Sequence, residues 1–261
     1  MFREANLQWE GTVSRKFKDD AGYGVSIAWT PVTLPNSGAA RQKTEGNDGN
    51  DITYDASTET NITLTINQHW YSAFELEEFE NALSMHDLKQ SYLKAASYVT
   101  RLAVDDVLAG LPDNFSQTVG GLAVDNTDDE VRRAIQYLED ANAPQEDRWA
   151  AVSPAAKMNF MGIDRYASTE FNRGQGANII KNSFSGVYGL TWWQSTNIEG
   201  TNAAGHDNAI YQSDAIALAM RMQPKTHDFM DIQNLSEQLA ISVIFGAVET
   251  RDDHGIWLKG P

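Results

Sequence analysis

The chain has 261 residues, with 36 acidic against 20 basic side chains, a formal net charge of -16 and no cysteine. No basic run is longer than Arg132-Arg133, so the clustered Lys and Arg that neutralise phosphates are missing and tight nucleic-acid binding is excluded. The lack of cysteine excludes disulfides, thiolate metal sites and thiol nucleophiles. The length suits one large domain or two modest ones with real cores. Met1-Phe2-Arg3-Glu4-Ala5 has no basic region followed by an apolar core, so no signal peptide is expected. No apolar run approaches the roughly 20 residues of a membrane span.

From Leu7 to Thr33 there is little helical character. Asp20-Ala21-Gly22-Tyr23-Gly24 reads as a turn joining two extended pieces, and Tyr23, Val25, Ile27 and Trp29 alternate as strand residues do. Between Pro35 and Thr60 the composition shifts to Gly, Asn, Asp, Ser and Thr, with Gly46-Asn47-Asp48-Gly49-Asn50-Asp51 the most turn-prone stretch; taken alone, this is a flexible surface loop. Ile62 to Asn67 alternates apolar with small polar residues and predicts a half-buried strand. A second alternating run, His69 to Phe79, follows. Ser84 and Asp87 then cap a stripe of Leu88, Tyr92, Ala95, Ala96, Val99, Leu102, Ala103 and Val107. That spacing predicts a helix over Met85 to Ala109, roughly 35 Å long at about 1.5 Å per residue, stopped by Gly110 and Pro112.

Thr127-Asp128-Asp129-Glu130 is a capping sequence for a second helix that buries Val131, Ala134, Ile135 and Leu138 and ends before Pro144. Glu146 to Ala156 predicts a strand leading into a short helix. Phe184 to Thr196 reads as a glycine turn and then a strand. Near the end Leu239, Ile241, Val243 and Phe245 alternate, and Gly246 to Arg251 continues the strand.

The chain has no G-x-S-x-G, H-E-x-x-H, Walker loop or dinucleotide fingerprint. Gly174-Gln175-Gly176 is too short for the last and reads as a loop. Asp252-Asp253-His254 and His206-Asp207 contain metal-ligand types without further ligands, and both read as solvated turns. Glu75, Glu77, Glu78 and Glu80, with Trp70 and the Trp192-Trp193 pair, offer carboxylates and aromatic platforms of the kind a glycosidase uses, but that chemistry needs two carboxyls held at a set separation. The simpler reading makes Glu75 and Glu77 the polar edge of a strand, with Trp70, Phe74 and Leu76 in the core. No catalytic, cofactor or metal residues are assigned.

Several of these segments, in this order, resemble the major capsid proteins of tailed phages with the Hong Kong 97-type fold, in the branch without covalent crosslinks. Ile62 to Glu77 followed by the long helix is similar to that family's L-T-I-N-x-x-W/Y-x-A-F-x-L-E block and spine helix. Arg148-Trp149-Ala150-Ala151-Val152-Ser153-Pro154 resembles its R-W-x-V-V-x-P strand, with Pro144 one position early. Phe184 to Thr196 resembles a G-x-(x)-G-F-x-V-Y-x-S-N segment with Thr in place of Asn. Phe245 to Arg251 resembles the closing Y-G-x-x-V-x-R element.

The resemblance implies an α+β subunit with an N-terminal arm (1–32), an E-loop hairpin reaching over a neighbour (33–66), a peripheral domain with the spine helix (67–120), an axial domain (121–225) and return strands (226–261). It implies no enzyme. It implies self-assembly as hexamers and pentamers into an icosahedral head around double-stranded DNA, which lies near the shell without specific contacts; an acidic wall would let it slide. Expected partners are other copies, a scaffolding protein, a portal and a cement or decoration protein, with no membrane. The location is the virion, after assembly in the host bacterial cytoplasm. Expected inter-subunit contacts are Arg15, Lys16, Lys18, Arg41, Lys43, Glu75, Glu77 and Glu78, Lys43 pairing ionically rather than forming a crosslink. The rival readings are an encapsulin-like cellular compartment, disfavoured by the helix-poor first 33 residues, and a carbohydrate-binding or carbohydrate-active protein.

Overall fold

In the computed structural model, residues 7–16, 26–29, 61–77, 88–167, 187–201 and 203–261 are described. Two sheets share the work. The first is three-stranded and antiparallel, in the order β3 (Gln68–Glu77), β10 (Ser236–Glu249), β9 (Ile216–Asp231). It matches the alternation that begins at His69, as far as Glu77 where the described strand ends, and that of Leu239–Phe245, because residues of one parity face a covering helix. That helix, α2 (Leu88–Ala109), packs on β3 and β10. Its expected first turn, Met85–Asp87, lies outside the described residues, as does Glu80.

The buried face of α2 differs from the expected stripe. Ala96, Thr100, Val104 and Leu108 step by four and are buried, whereas Tyr92 and Val99 are about half exposed, at 49% and 48%. Thr100 misleads the pattern because its Oγ1 donates to the Ala96 carbonyl at 2.8 Å; with that bond made inside its own helix, the residue buries as a small side chain. Trp70, expected in the core, is 45% exposed, while Leu76 is buried and Phe74 is half-buried against Tyr92, ring centroids 5.4 Å apart.

The second sheet has the order β4 (Gln117–Gly120), β11 (Gly255–Gly260), β8 (Gly205–Gln212), β5 (Arg148–Val152), β6 (Thr191–Gln194), with β7 (Gly200–Thr201) on the start of β8. Helices α3 (Asp128–Asp140), α4 (Pro154–Met161) and α5 (Asp164–Ala167) go with one face, where Val131, Leu138, Phe160, Tyr166, Trp192 and Ile210 form a core. The expected α3 start is found, the Thr127 N–H donating to Glu130 Oε2 at 2.7 Å. The expected strand-to-helix step at Arg148–Met161 is also found. There Ser153 Oγ accepts from the Ala156 N–H at 3.1 Å and caps α4. Ser153 is fully buried, so Ser153→Ala is expected to lower stability by about 1–2 kcal/mol in urea unfolding.

The opposite face meets the first sheet in a second core of Trp9, Val104, Leu108, Trp193, Tyr211, Leu218, Val243 and Phe245. Trp192 and Trp193 thus point to opposite faces of one strand and are both buried. They form no platform, which removes the main support for the carbohydrate reading. His206 and Asp207, read as a solvated turn, lie within β8, with His206 buried. His254 sits in a short 3-10 turn but is buried at 3% exposure; desolvation holds its imidazole below the ordinary range. Strand pairing also moves the sheet boundaries. β9 begins at Ile216 and pairs along β10, so residues 216–225 belong to the first sheet, while Gln117–Gly120 belongs to the second.

Residues 7–16, within the expected arm, pack on this chain's own core, and Trp9–Thr12 form one helical turn, α1. Tertiary contacts override the local pattern. Trp9 is fully buried, Ser14 N–H donates to the Ile216 carbonyl and Leu218 N–H to that of Ser14, both at 3.0 Å. β1 (Ser26–Trp29) pairs antiparallel with β2 (Ile62–Thr65), from Ser26 opposite Thr65 to Trp29 opposite Ile62. The described chain therefore breaks off at Trp29 and resumes beside it at Asn61 and Ile62. Beyond it, Leu64 and Ile66 pack on Ala217 and Ala219, and a Cβ on Gly246 would lie 2.3 Å from the Thr65 carbonyl oxygen. Only glycine permits that crossing.

Candidate inter-subunit surfaces

Towards the β9–β10 turn, the described residues cover the three-stranded sheet on one side only, the β2 region covering its other face just at the opposite end. Phe74, Leu76, Leu239, Ile241 and Val243 share the parity that faces α2, and Lys89 of α2 forms an ion pair with Glu237. The other parity carries Tyr71, Ala73 and Glu75 on β3, Gln238 on β10, and His227 and Phe229 on β9, all exposed. A groove of about 450 Å³ runs over three successive cross-strand rows, from Ala73, Ala240 and His227 to Glu75, Gln238 and Phe229. A second, of about 360 Å³, lies towards the turn between β9 and β10, bounded by Leu76, Met230 and Leu235.

That turn is the most apolar exposed part of the described chain. Phe229 is 69% and Ile232 79% exposed, and Met230 and Leu235 are also more than half open. The β9 positions from Gln223 to Met230 are exposed on both faces. Soluble proteins rarely leave such a group uncovered without a partner for it. Residues 226–238, at the start of the expected return strands, carry no clear sequence pattern; the signal present is the mixed Phe229-Met230-Asp231-Ile232 run, whose apolar residues follow no single face.

The expected contact residues fall in different places. Arg15 Nη2 pairs with Glu10 Oε1 at 2.6 Å and Lys16 Nζ with Asp214 Oδ2 at 2.6 Å, both within the chain and both largely exposed. Glu75 accepts from the Ser236 hydroxyl, and Glu77 is exposed at the end of the edge strand β3. Lys18, Arg41, Lys43 and Glu78 lie outside the described residues, as does Gly174-Gln175-Gly176. Described members of the set are thus split between the α1 region and the far end of the first sheet.

Carboxylates elsewhere are crowded. Glu199 and Asp207 are raised above the usual range first by burial; repulsion from Asp113 adds to both, and Asp207 also accepts from Trp257 Nε1 at 3.0 Å. Glu249 is pushed up to about 7 by burial beside Asp252, whose Oδ1 accepts from the Ser116 N–H at 2.7 Å. Among the described residues no group of three His, Asp or Glu side chains is arranged to hold a metal ion. Nor is any described helix long and apolar enough to cross a membrane.

Neither a protein-family profile nor a curated protein sequence matches the chain. Solved structures do. A Mycobacterium phage Che8 structure superposes with TM-score 0.84 at 17% identity, over 99% of this chain and 93% of that one. The capsid structure of the cyanophage P-SCSP1u gives 0.79 at 15% identity, over 100% and 90%. The mature capsid of bacteriophage PhiM1 gives 0.75 at 13%, over 99% and 87%. The α+β fold is the Hong Kong 97-type capsid fold that the sequence resembles, and the likeness spans essentially the whole chain.

Proposed function

We propose that this chain is the major capsid subunit of a tailed phage, building an icosahedral shell around double-stranded DNA. The observation that carries the reading is the whole-chain superposition, at TM-score 0.84, on a phage structure, with capsids next to it among the matches. The role is structural. Other copies of the chain are its partners, and the reading extends to pentamers and hexamers, a scaffolding protein, a portal, a decoration protein and assembly in the host cytoplasm. In these terms the six-stranded sheet with α3–α5 is the axial domain, the three-stranded sheet with α2 the peripheral domain, and β1 and β2 the base of the E-loop. The exposed apolar turn at 229–235 supports the assembly reading, because a monomer has no use for it. Glu75, Glu77 and Glu78, with Arg41, Lys43 and Lys18 of neighbours, are proposed as polar contacts at the rim.

Sedimentation velocity tests this. Purified protein, alone and with a co-expressed scaffolding candidate, is expected to run as rings of five or six subunits or as shells. A single 28.9 kDa species under both conditions would contradict it.

A further inference from the structure

Asp105 is a carboxylate about one turn from the C-terminal end of α2, with 1% of its surface exposed. Its oxygens are shared between two other parts of the chain. Oδ1 accepts from the Trp9 backbone N–H at 3.0 Å, and Oδ2 accepts from Asn197 Nδ2 at 3.2 Å. Trp9 belongs to the N-terminal segment, and Asn197 to the loop after β6, itself held by a bond from its N–H to Ser195 Oγ at 3.0 Å. One carboxyl therefore joins the N-terminal segment, the long helix and the six-stranded sheet. We propose that Asp105 is a proton-operated latch, setting through these two bonds how firmly residues 7–16 are held to the long helix.

Among the described residues, the charge around it leaves the carboxylate uncompensated. The charged groups acting on it are Glu10 of α1 and Asp106 of α2, both acidic, and Glu10 is itself engaged by Arg15. From β8, the Tyr211 hydroxyl shares a 2.6 Å bond with that of Thr12 and is kept protonated by burial. Burial pushes Asp105 up to about 6, against the bonds from Asn197 and Trp9, which favour the charged form. The neutral form fits the same site. With the proton on Oδ2, the Asn197 amide turns over to present its oxygen, and Oδ1 still receives the Trp9 N–H. A group whose acidity is weakened on folding contributes stability that is complete below its unfolded value and is lost as pH rises through the folded one. The latch therefore tightens on acidification from neutral pH and slackens in the opposite direction.

The test is hydrogen exchange of the full chain, read on peptides covering residues 7–16 and corrected for intrinsic exchange. Taking an ordinary carboxylate value for the open state, protection is expected to rise about tenfold between pH 7 and pH 5. Asp105→Asn, which keeps both bonds once Asn197 turns over, is expected to abolish that dependence and hold the segment at pH 7 at least as firmly as wild type does at pH 5. Asn197→Ala removes a bond that favours the charge and is expected to move the midpoint upward. Protection in wild type changing less than twofold, or a wild-type dependence surviving in Asp105→Asn, would overturn the latch. If Asp105→Asn does not fold, an unmoved midpoint in Asn197→Ala overturns it equally. The latch rests on the subunit fold alone, so its failure would leave the shell reading untouched, and the reverse also holds.

Discussion

Replacing Trp9 by alanine is expected to destabilise the subunit by about 3–5 kcal/mol, the range for deleting a large aromatic side chain from a packed core. The residue comes from a segment with no strong local pattern, yet it is fully buried. Its ring stacks on Tyr211 at 5.3 Å with planes 14° apart and meets Trp193 edge-on at 5.1 Å. These partners belong to β8 and β6, while its backbone is tied to α2, so no single element can collapse into the space left behind. Aromatic pairs of this geometry add about 0.5–1.5 kcal/mol each beyond burial. Urea unfolding of the dissociated subunit measures the loss. The natural control is Trp70→Ala: that ring is 45% exposed and its Nε1 donates only to the neighbouring Gln68 at 3.0 Å, so the expected change is below about 1 kcal/mol. Equal losses at the two tryptophans would mean that the segment 7–16 does not pack as described.

The double substitution Phe229→Asp and Ile232→Asp is expected to do the opposite, abolishing assembly while leaving subunit stability within about 0.5 kcal/mol of wild type. Both side chains are mostly exposed, so little folding energy is lost. In the proposed shell this turn meets a neighbour, and removing an apolar anchor from an interface costs about 2 kcal/mol or more. The new carboxylates also add to a chain already at -16, so that like charges meet at each contact. A penalty repeated at every subunit prevents closure. Sedimentation should show only small species, with an unchanged urea midpoint. Normal shell yield would place this turn outside the interfaces.

The parts legible in the sequence were those where local periodicity and burial coincide. Ile62–Glu77 alternates because its strands are half-buried, Thr127–Leu138 reads as a capped amphipathic helix, and Ser153-Pro154 marks the turn from strand to helix. The resemblance to capsid subunits rested on the same segments, and the fold bears it out. The register of α2 was misread because Thr100 hides its hydroxyl within the helix, leaving Tyr92 and Val99 as the apolar residues without a place in this chain's core. Trp9 falls in the segment read as having little helical character, since the contacts that bend it into α1 come from about 100 and 200 positions away. The β9–β10 turn escaped notice for a different reason: its apolar residues do not serve this chain's core, so no intrachain periodicity encodes them. Charged residues were chosen as contact candidates by type. Arg15 and Lys16 already have partners at home, and exposed pairs of that kind contribute at most about 1 kcal/mol.

Electron microscopy of particles formed by the full chain, expressed with and without a scaffolding candidate, tests the central claim most directly. Closed icosahedral shells, with subunits clustered in fives and sixes around the six-stranded sheet and α3–α5, are the predicted result. Monodisperse monomers, or open aggregates lacking five-fold and six-fold clusters, would contradict it.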